Sequence, residues 1–169
     1  MRVLDDAYQQ QWGPASTWGD PRHPDTEHRT TATYNRWFRP TAGMLLSYAA
    51  THTSSKACAA VRGNLRLRLG AVETAVNKGR HINTAFSDRV CRDCERRAGQ
   101  RCVDDAQHVC LECPYILGQL GHKGYDNSGA RDFNELYAPQ HASKGIRFVG
   151  KVVDLIAEAA SRQREQQPR

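Results

Sequence analysis

The stretch Cys91-Arg92-Asp93-Cys94, thirteen residues, then His108-Val109-Cys110-Leu111-Glu112-Cys113 carries five of the six cysteines in this 169-residue chain. Thiolate sulfur and imidazole nitrogen are the donors a tetrahedral Zn²⁺ prefers, and two close pairs supply four of them from a short span. The spacing predicts one structural Zn²⁺ stapling a small helical domain, mainly α with little or no sheet. Two donor sets remain open on spacing alone. One is Cys91, Cys94, His108 and Cys113. The other takes Cys110 in place of His108, which gives CxxC twice with fifteen residues between. On a continuous helix Cys110 and Cys113 share a face, while His108 and Cys113 point apart. Pro114 disfavours an α conformation at Cys113, and a break there would swing Cys113 back toward His108. Cys102 fits neither set and reads as a spare small hydrophobe. Asp104, three residues before Gln107, forms a capping-box pattern for the segment that bears His108.

Composition sets the surroundings. The hydrophobic fraction is 39% and the mean hydropathy −0.70, lean enough that a metal staple would help a single domain of this length. No apolar run reaches membrane length, and Met1-Arg2-Val3-Leu4-Asp5-Asp6 is not a secretory leader. The expectation is an intracellular protein, of nucleus or cytoplasm, whose clustered cysteines bind metal rather than form disulfides. Charge is unevenly spread. Residues 56–101 hold eleven basic and four acidic side chains, net +7, against net +6 for the whole chain. A basic surface beside a zinc site is an electrostatic footprint for phosphate. The competing reading is an ordinary solvated Arg-rich face.

Outward from the cysteines, periodicity divides the chain. Residues 1–30 read as a short helix bearing Leu4, Tyr8 and Trp12, followed by a linker. Residues 31–120 form the basic helical and zinc-binding module. In it Tyr34, Trp37 and Phe38 make a helical aromatic stripe ended by Pro40. Residues 56–69 form a helix with Ala57, Val61, Leu65 and Leu69 on one face and Arg62 and Arg66 on another. Gly70 stops it, and a second short helix follows through Val72 and Val76 to Gly79. Tyr115 to Leu120 reads as helical, and residues 121–142 as a Gly-rich loop. Residues 143–162 give the clearest helix, capped by Ser143, with Ile146, Val149, Val153, Ile156 and Ala160 in one stripe. Residues 163–169 form a polar tail expected to be disordered.

Four runs together carry a family resemblance. They are Leu65-Arg66-Leu67-Arg68-Leu69-Gly70, Lys78-Gly79-Arg80, Arg89-Val90-Cys91-Arg92-Asp93-Cys94, and Val103 through Pro114 (VDDAQHVCLECP). This order of basic helix, GR turn, R-x-C-x-x-C and acidic H-x₄-C segment resembles the C-terminal zinc-binding region of non-LTR retrotransposon reverse transcriptases. Tyr34-Asn35-Arg36-Trp37-Phe38 is similar to the Y-x-x-W-F found ahead of it there. The resemblance covers roughly residues 30–120 and implies a CCHC ligand set, carried onto Cys91, Cys94, His108 and Cys113 with Cys110 as the alternate. The chain departs from the pattern at Cys110, where an apolar residue is usual, and in its longer loop containing Cys102.

A polymerase needs paired aspartates on a hairpin of apolar strands to hold two Mg²⁺. Asp5-Asp6 and Asp104-Asp105 lie in no such hairpin, and no catalytic residue stands out. The chain therefore reads as a non-enzymatic, nucleic-acid-binding zinc module, a C-terminal fragment of a retrotransposon polyprotein. Its expected partners are RNA or DNA, bound non-specifically through phosphates, and the parent polymerase domain, with no membrane. Arg62, Arg66, Arg68, Arg80, Arg92, Arg96, Arg97 and Arg101 are the expected phosphate contacts. The alternative is a zinc-stapled protein-interaction module docking through the 143–162 helix.

Overall fold

The computed structural model describes residues 41–82, 84–127 and 129–165. The expected helix at 2–12, the linker to residue 30, the aromatic stripe of Tyr34, Trp37 and Phe38, and residues 166–169 lie outside the described residues. Seven α-helices follow one another among the described residues: α1 (Ala42–Thr51), α2 (Ser55–Arg68), α3 (Ala75–His81), α4 (Arg92–Ala98), α5 (Pro114–Gly121), α6 (Phe133–Leu136) and α7 (Ala142–Glu165). A 3₁₀ turn spans Phe86–Asp88 and a π turn spans His108–Glu112. The fold is mainly helical, as expected. Among the described residues the only β pairing is an isolated antiparallel bridge, Val90 with Val103, and there is no sheet.

Local chemistry sets most helix ends. Ser54 accepts a hydrogen bond from the Ala57 N–H and starts α2. Gly70, with φ of 66°, lets the chain turn away after it. Thr74 caps α3 through the Asn77 N–H. Gly99, φ 65°, terminates α4, and Pro114 opens α5, where its missing N–H is harmless. Two caps differ from expectation. Ser143 lies inside the first turn of α7, which begins at Ala142. Asp105, not Asp104, caps the segment leading into the π turn, by accepting from the His108 N–H at 2.9 Å. The Asp104 carboxylate reaches instead to the Ala75 N–H at the start of α3, at 2.6 Å.

The core is built on α2 crossing α7. A Cβ on Gly63 would lie 2.9 Å from the Gly150 Cα, and one on Gly150 would lie 2.7 Å from the Ala60 Cα. The two backbones thus meet where no side chain fits. This contact rotates α2 relative to the expected stripe. Ala57, Ala60, Gly63, Asn64, Leu67 and Arg68 are buried, while Leu65 and Leu69 are exposed. Small residues win the interface because they permit backbone approach, and Asn64 is tolerated there because it is saturated. Its amide donates to the Ala60 and Ile146 carbonyls, each at 2.8 Å, and its carbonyl accepts from the Tyr137 hydroxyl.

On α7 the buried face is wider than the expected stripe. It adds Phe148, Gly150, Val152 and Leu155 to Ile146, Val149, Val153 and Ala160, and Ile156 is half-buried. That face packs on α2 and the π turn within the chain. It is therefore not left open for docking a partner. The expected 121–142 loop also contains structure: α6 drops Phe133, Leu136 and Tyr137 into the core. No described helix is long and apolar enough to cross a membrane.

Candidate metal centre

Cys91 and Cys113 enter the site in the same way. Each precedes a helix, α4 or α5, with nearly identical extended backbones (φ −68°, ψ 111° and φ −68°, ψ 108°). At Cys113 the following proline enforces that geometry. Backbone N–H groups of the turn beyond, at Cys94 for Cys91 and at Ile116 and Tyr115 for Cys113, favour the thiolate form of each sulfur. Cys94 lies in the first turn of α4.

The π turn supplies the fourth donor. Five residues along an α-helix turn through about 500°, which leaves His108 and Cys113 roughly 140° apart. The wider turn closes with the Cys113 N–H donating to the His108 carbonyl at 2.7 Å, an i to i+5 bond. One extra residue per turn brings the two donors to one side. It also sends Cys110 the other way, into the main hydrophobic core beside Val109 and Leu111. The Cys110 thiol pKa is pushed up by burial, as for an inert core thiol.

Ligand atoms of Cys91, Cys94, His108 and Cys113 all lie within 4.8 Å of one another, and all four residues are buried. The sulfurs of Cys91 and Cys113 are 4.0 Å apart, those of Cys94 and Cys113 3.9 Å, and the Cys94 sulfur is 3.4 Å from His108 Nε2. These are not disulfide distances. A tetrahedron with Zn–S of about 2.3 Å has S···S edges of about 3.8 Å, so the donors fit a single ion. Cys110 is not in the group, and the four-cysteine alternative is not assembled.

Electrostatics agree with the need for a cation. A hydrogen bond from Cys113 drives the Cys91 thiol down to about 3, while burial and the Cys91 charge push Cys94 up to about 11. Cys113 is pushed up by donating to Cys91 and by burial. Three adjacent sulfurs cannot all ionise unaided; a bound dication would offset two of the three negative charges and let all three thiols deprotonate. Burial opposes the charged form of His108, yet hydrogen bonding and charge from Cys91, with Asp104 and Glu112, hold its pKa above the ordinary value. His108 Nδ1 faces Glu112 at 3.7 Å, leaving Nε2 toward the sulfurs.

Sequence reasoning missed what holds the segment before Cys91 in place. Arg89 is buried, and its guanidinium donates to the Thr84 carbonyl at 2.9 and 2.7 Å and to the Val76 carbonyl at 3.3 Å. Its side chain lies against Gly79, where a Cβ would come within 2.5 Å of Arg89 Cδ. The KGR run thus leaves room for an arginine that ties α3 to the metal loop. The signal is Arg89 two residues before a ligand, counted among the basic residues and quoted in the R-x-C-x-x-C run but given no structural role there.

The expected phosphate contacts divide. Arg62 and Arg66 on α2, Arg92, Arg96 and Arg97 on α4, and Arg101 are exposed. Asp93 pairs with both Arg96 and Arg97, and Arg101 with Asp88 and Glu95. The Arg97 guanidinium lies 5.1 Å from the centre of the Tyr115 ring. Arg68 stands apart: it is buried, bonded to Thr41 Oγ1 at 3.1 Å and set over the Tyr137 ring. The Arg80 side chain lies outside the described residues.

What the fold and site define is a small helical domain with a buried Cys-Cys-His-Cys group suited to one structural metal ion. Comparison with protein-family models, curated proteins and solved structures finds no match.

Proposed function

We propose that this chain is a zinc-stapled module that binds nucleic acid through phosphates, without catalytic chemistry of its own. The soft S₃N donor set suits Zn²⁺. Four protein donors would complete a tetrahedron and leave no position for a reacting water, as in structural rather than catalytic sites. The resemblance to the C-terminal region of non-LTR retrotransposon reverse transcriptases points the same way, since its CCHC set corresponds to the four clustered residues.

The observation that carries the reading is the exposure of Arg62, Arg66, Arg92, Arg96, Arg97 and Arg101 on a chain whose positive excess lies within residues 56–101. Their surface ion pairs are no obstacle. Exposed pairs are worth about 0–1 kcal/mol, and a phosphate can replace a carboxylate at similar cost. Phosphate contacts give affinity and position rather than sequence reading.

Titration of labelled duplex DNA and RNA by anisotropy, across a range of salt, tests this. If Z phosphates are neutralised, log affinity falls against log salt with a slope of about −0.9Z on duplex DNA. Replacing Arg62, Arg66, Arg96 and Arg97 by Gln should weaken binding to all sequences alike and flatten the slope by up to about four. Absence of binding at micromolar concentration by folded, zinc-loaded protein would reject the proposal. So would binding that the fourfold variant retains unchanged.

A further inference from the structure

Cys102 belongs to neither donor set, but it is not remote from the metal centre. The Val90–Val103 bridge is framed by two backbone hydrogen bonds, from the Cys91 N–H to the Cys102 carbonyl at 2.8 Å and from the Asp104 N–H to the Arg89 carbonyl at 2.9 Å. This pattern sets Cys91 and Cys102 directly opposite each other. Opposite residues on antiparallel segments project to the same side. Cys102 accordingly packs against the cluster of Cys91, Cys94 and Cys113. Of the two bonds that a fully hydrogen-bonded pair exchanges, the one from the Cys91 N–H to the Cys102 carbonyl is made; in a full pair the Cα atoms are about 5.5 Å apart, inside the range that a disulfide spans. The ligand Cys91 is buried, whereas Cys102 is partly exposed. A small oxidant therefore meets Cys102 first.

We infer that Cys102 is the oxidisable partner of the ligand Cys91, and that a Cys91–Cys102 disulfide discharges the metal. The inference rests on the metal-centre reading and adds regulation to it. Hydrogen peroxide is the oxidant. The Cys102 thiolate attacks one peroxide oxygen, the O–O bond breaks, and Cys102 becomes a sulfenic acid while hydroxide leaves and takes up the thiol proton as water. The Cys91 thiolate then attacks the Cys102 sulfur. The S–S bond forms, the S–O bond breaks, and the departing hydroxide takes a proton from solvent. Each sulfur has lost one electron and the peroxide has become two waters. Only Cys94, His108 and Cys113 remain as donors, too few to close a structural site. The other two thiols are built differently. Cys58 is exposed on α2 and belongs to neither hydrophobic cluster, and Cys110 is fully buried in the main core.

The test treats the full, zinc-loaded chain with hydrogen peroxide. It follows released zinc with a chromogenic chelator and maps disulfides by peptide mass spectrometry after thiol trapping. The parent and the Cys58→Ser control should release their zinc and yield the Cys91–Cys102 peptide, and dithiothreitol with added Zn²⁺ should reverse both. Cys102→Ser should lose that peptide and retain its zinc over the same interval; Cys102→Ala serves where the serine variant does not fold. Release from either variant as fast as from the parent would overturn the proposal, as would a disulfide joining two ligands, such as Cys91 to Cys94. A purified chain carrying no zinc would remove the metal centre instead. The disulfide map then still decides the pairing of Cys91 with Cys102.

Discussion

His108 and Cys110 are two residues apart and both buried, yet they sit in different environments. His108 Nε2 faces the Cys94 sulfur, while the Cys110 thiol packs in the main core. Substitution should separate them by readout. His108→Ala should lower zinc affinity by more than the roughly 10–100-fold that loss of an outer-sphere partner costs, because a donor itself is gone. Cys110→Ala should keep one zinc per chain and lose about 1–2 kcal/mol of folding stability, the cost of a small core cavity. A chelator competition reads the first and denaturant unfolding of the loaded protein the second. If Cys110→Ala instead strips the metal and His108→Ala does not, the donor set has been misassigned.

At the scale of elements, the α2–α7 crossing depends on glycines that are not interchangeable with those elsewhere. Gly150→Leu would drive a side chain into the α2 backbone at Ala60, and the helices must separate. Destabilisation of about 1–3 kcal/mol is expected. Gly118, within α5, has nothing within 4 Å of a built Cβ. Gly118→Ala should therefore stabilise by about 0.4–1 kcal/mol, since alanine loses less backbone freedom on entering a helix. Thermal melts of the two variants check the contrast, and equal effects would mean that the crossing is not the tight contact described. The π turn is the other element with a specific task. Its i to i+5 closure brings His108 and Cys113 together and leaves Val109, Cys110 and Leu111 to fill the core.

Over the molecule as a whole, two hydrophobic clusters are supported differently. The large one joins α1, α2, α6, α7 and the π turn; the small one is Cys91, Cys94 and Cys113 with Cys102, Tyr115 and Ile116 around them. The small cluster has little apolar mass, so an ion held by its four donors would supply folding free energy there. Chelation is expected to remove amide-exchange protection across residues 89–114 while α2 and α7 keep theirs. Hydrogen exchange with and without chelator makes the measurement. Protection lost evenly over α2 and α7 would show one cooperative unit, and unchanged protection at 89–114 would show that the metal does not hold the segment.

The sequence by itself determined the donor types and their spacing, the location of the positive charge and the helical class, because these depend on residue identity and on partners within a few positions. Ser54, Gly70 and Pro114 mark helix ends for the same reason: each acts on its own turn. Tertiary structure decided which face of each element is used. Leu65 and Leu69 outrank Ala60 and Gly63 in hydrophobicity, but only the small pair lets α7 approach, and α7 is some ninety residues away in the chain. The same remote packing buried Arg68 over Tyr137. His108 was chosen over Cys110 because a π turn, anchored by core residues on one side, could present only one of them to the other three donors.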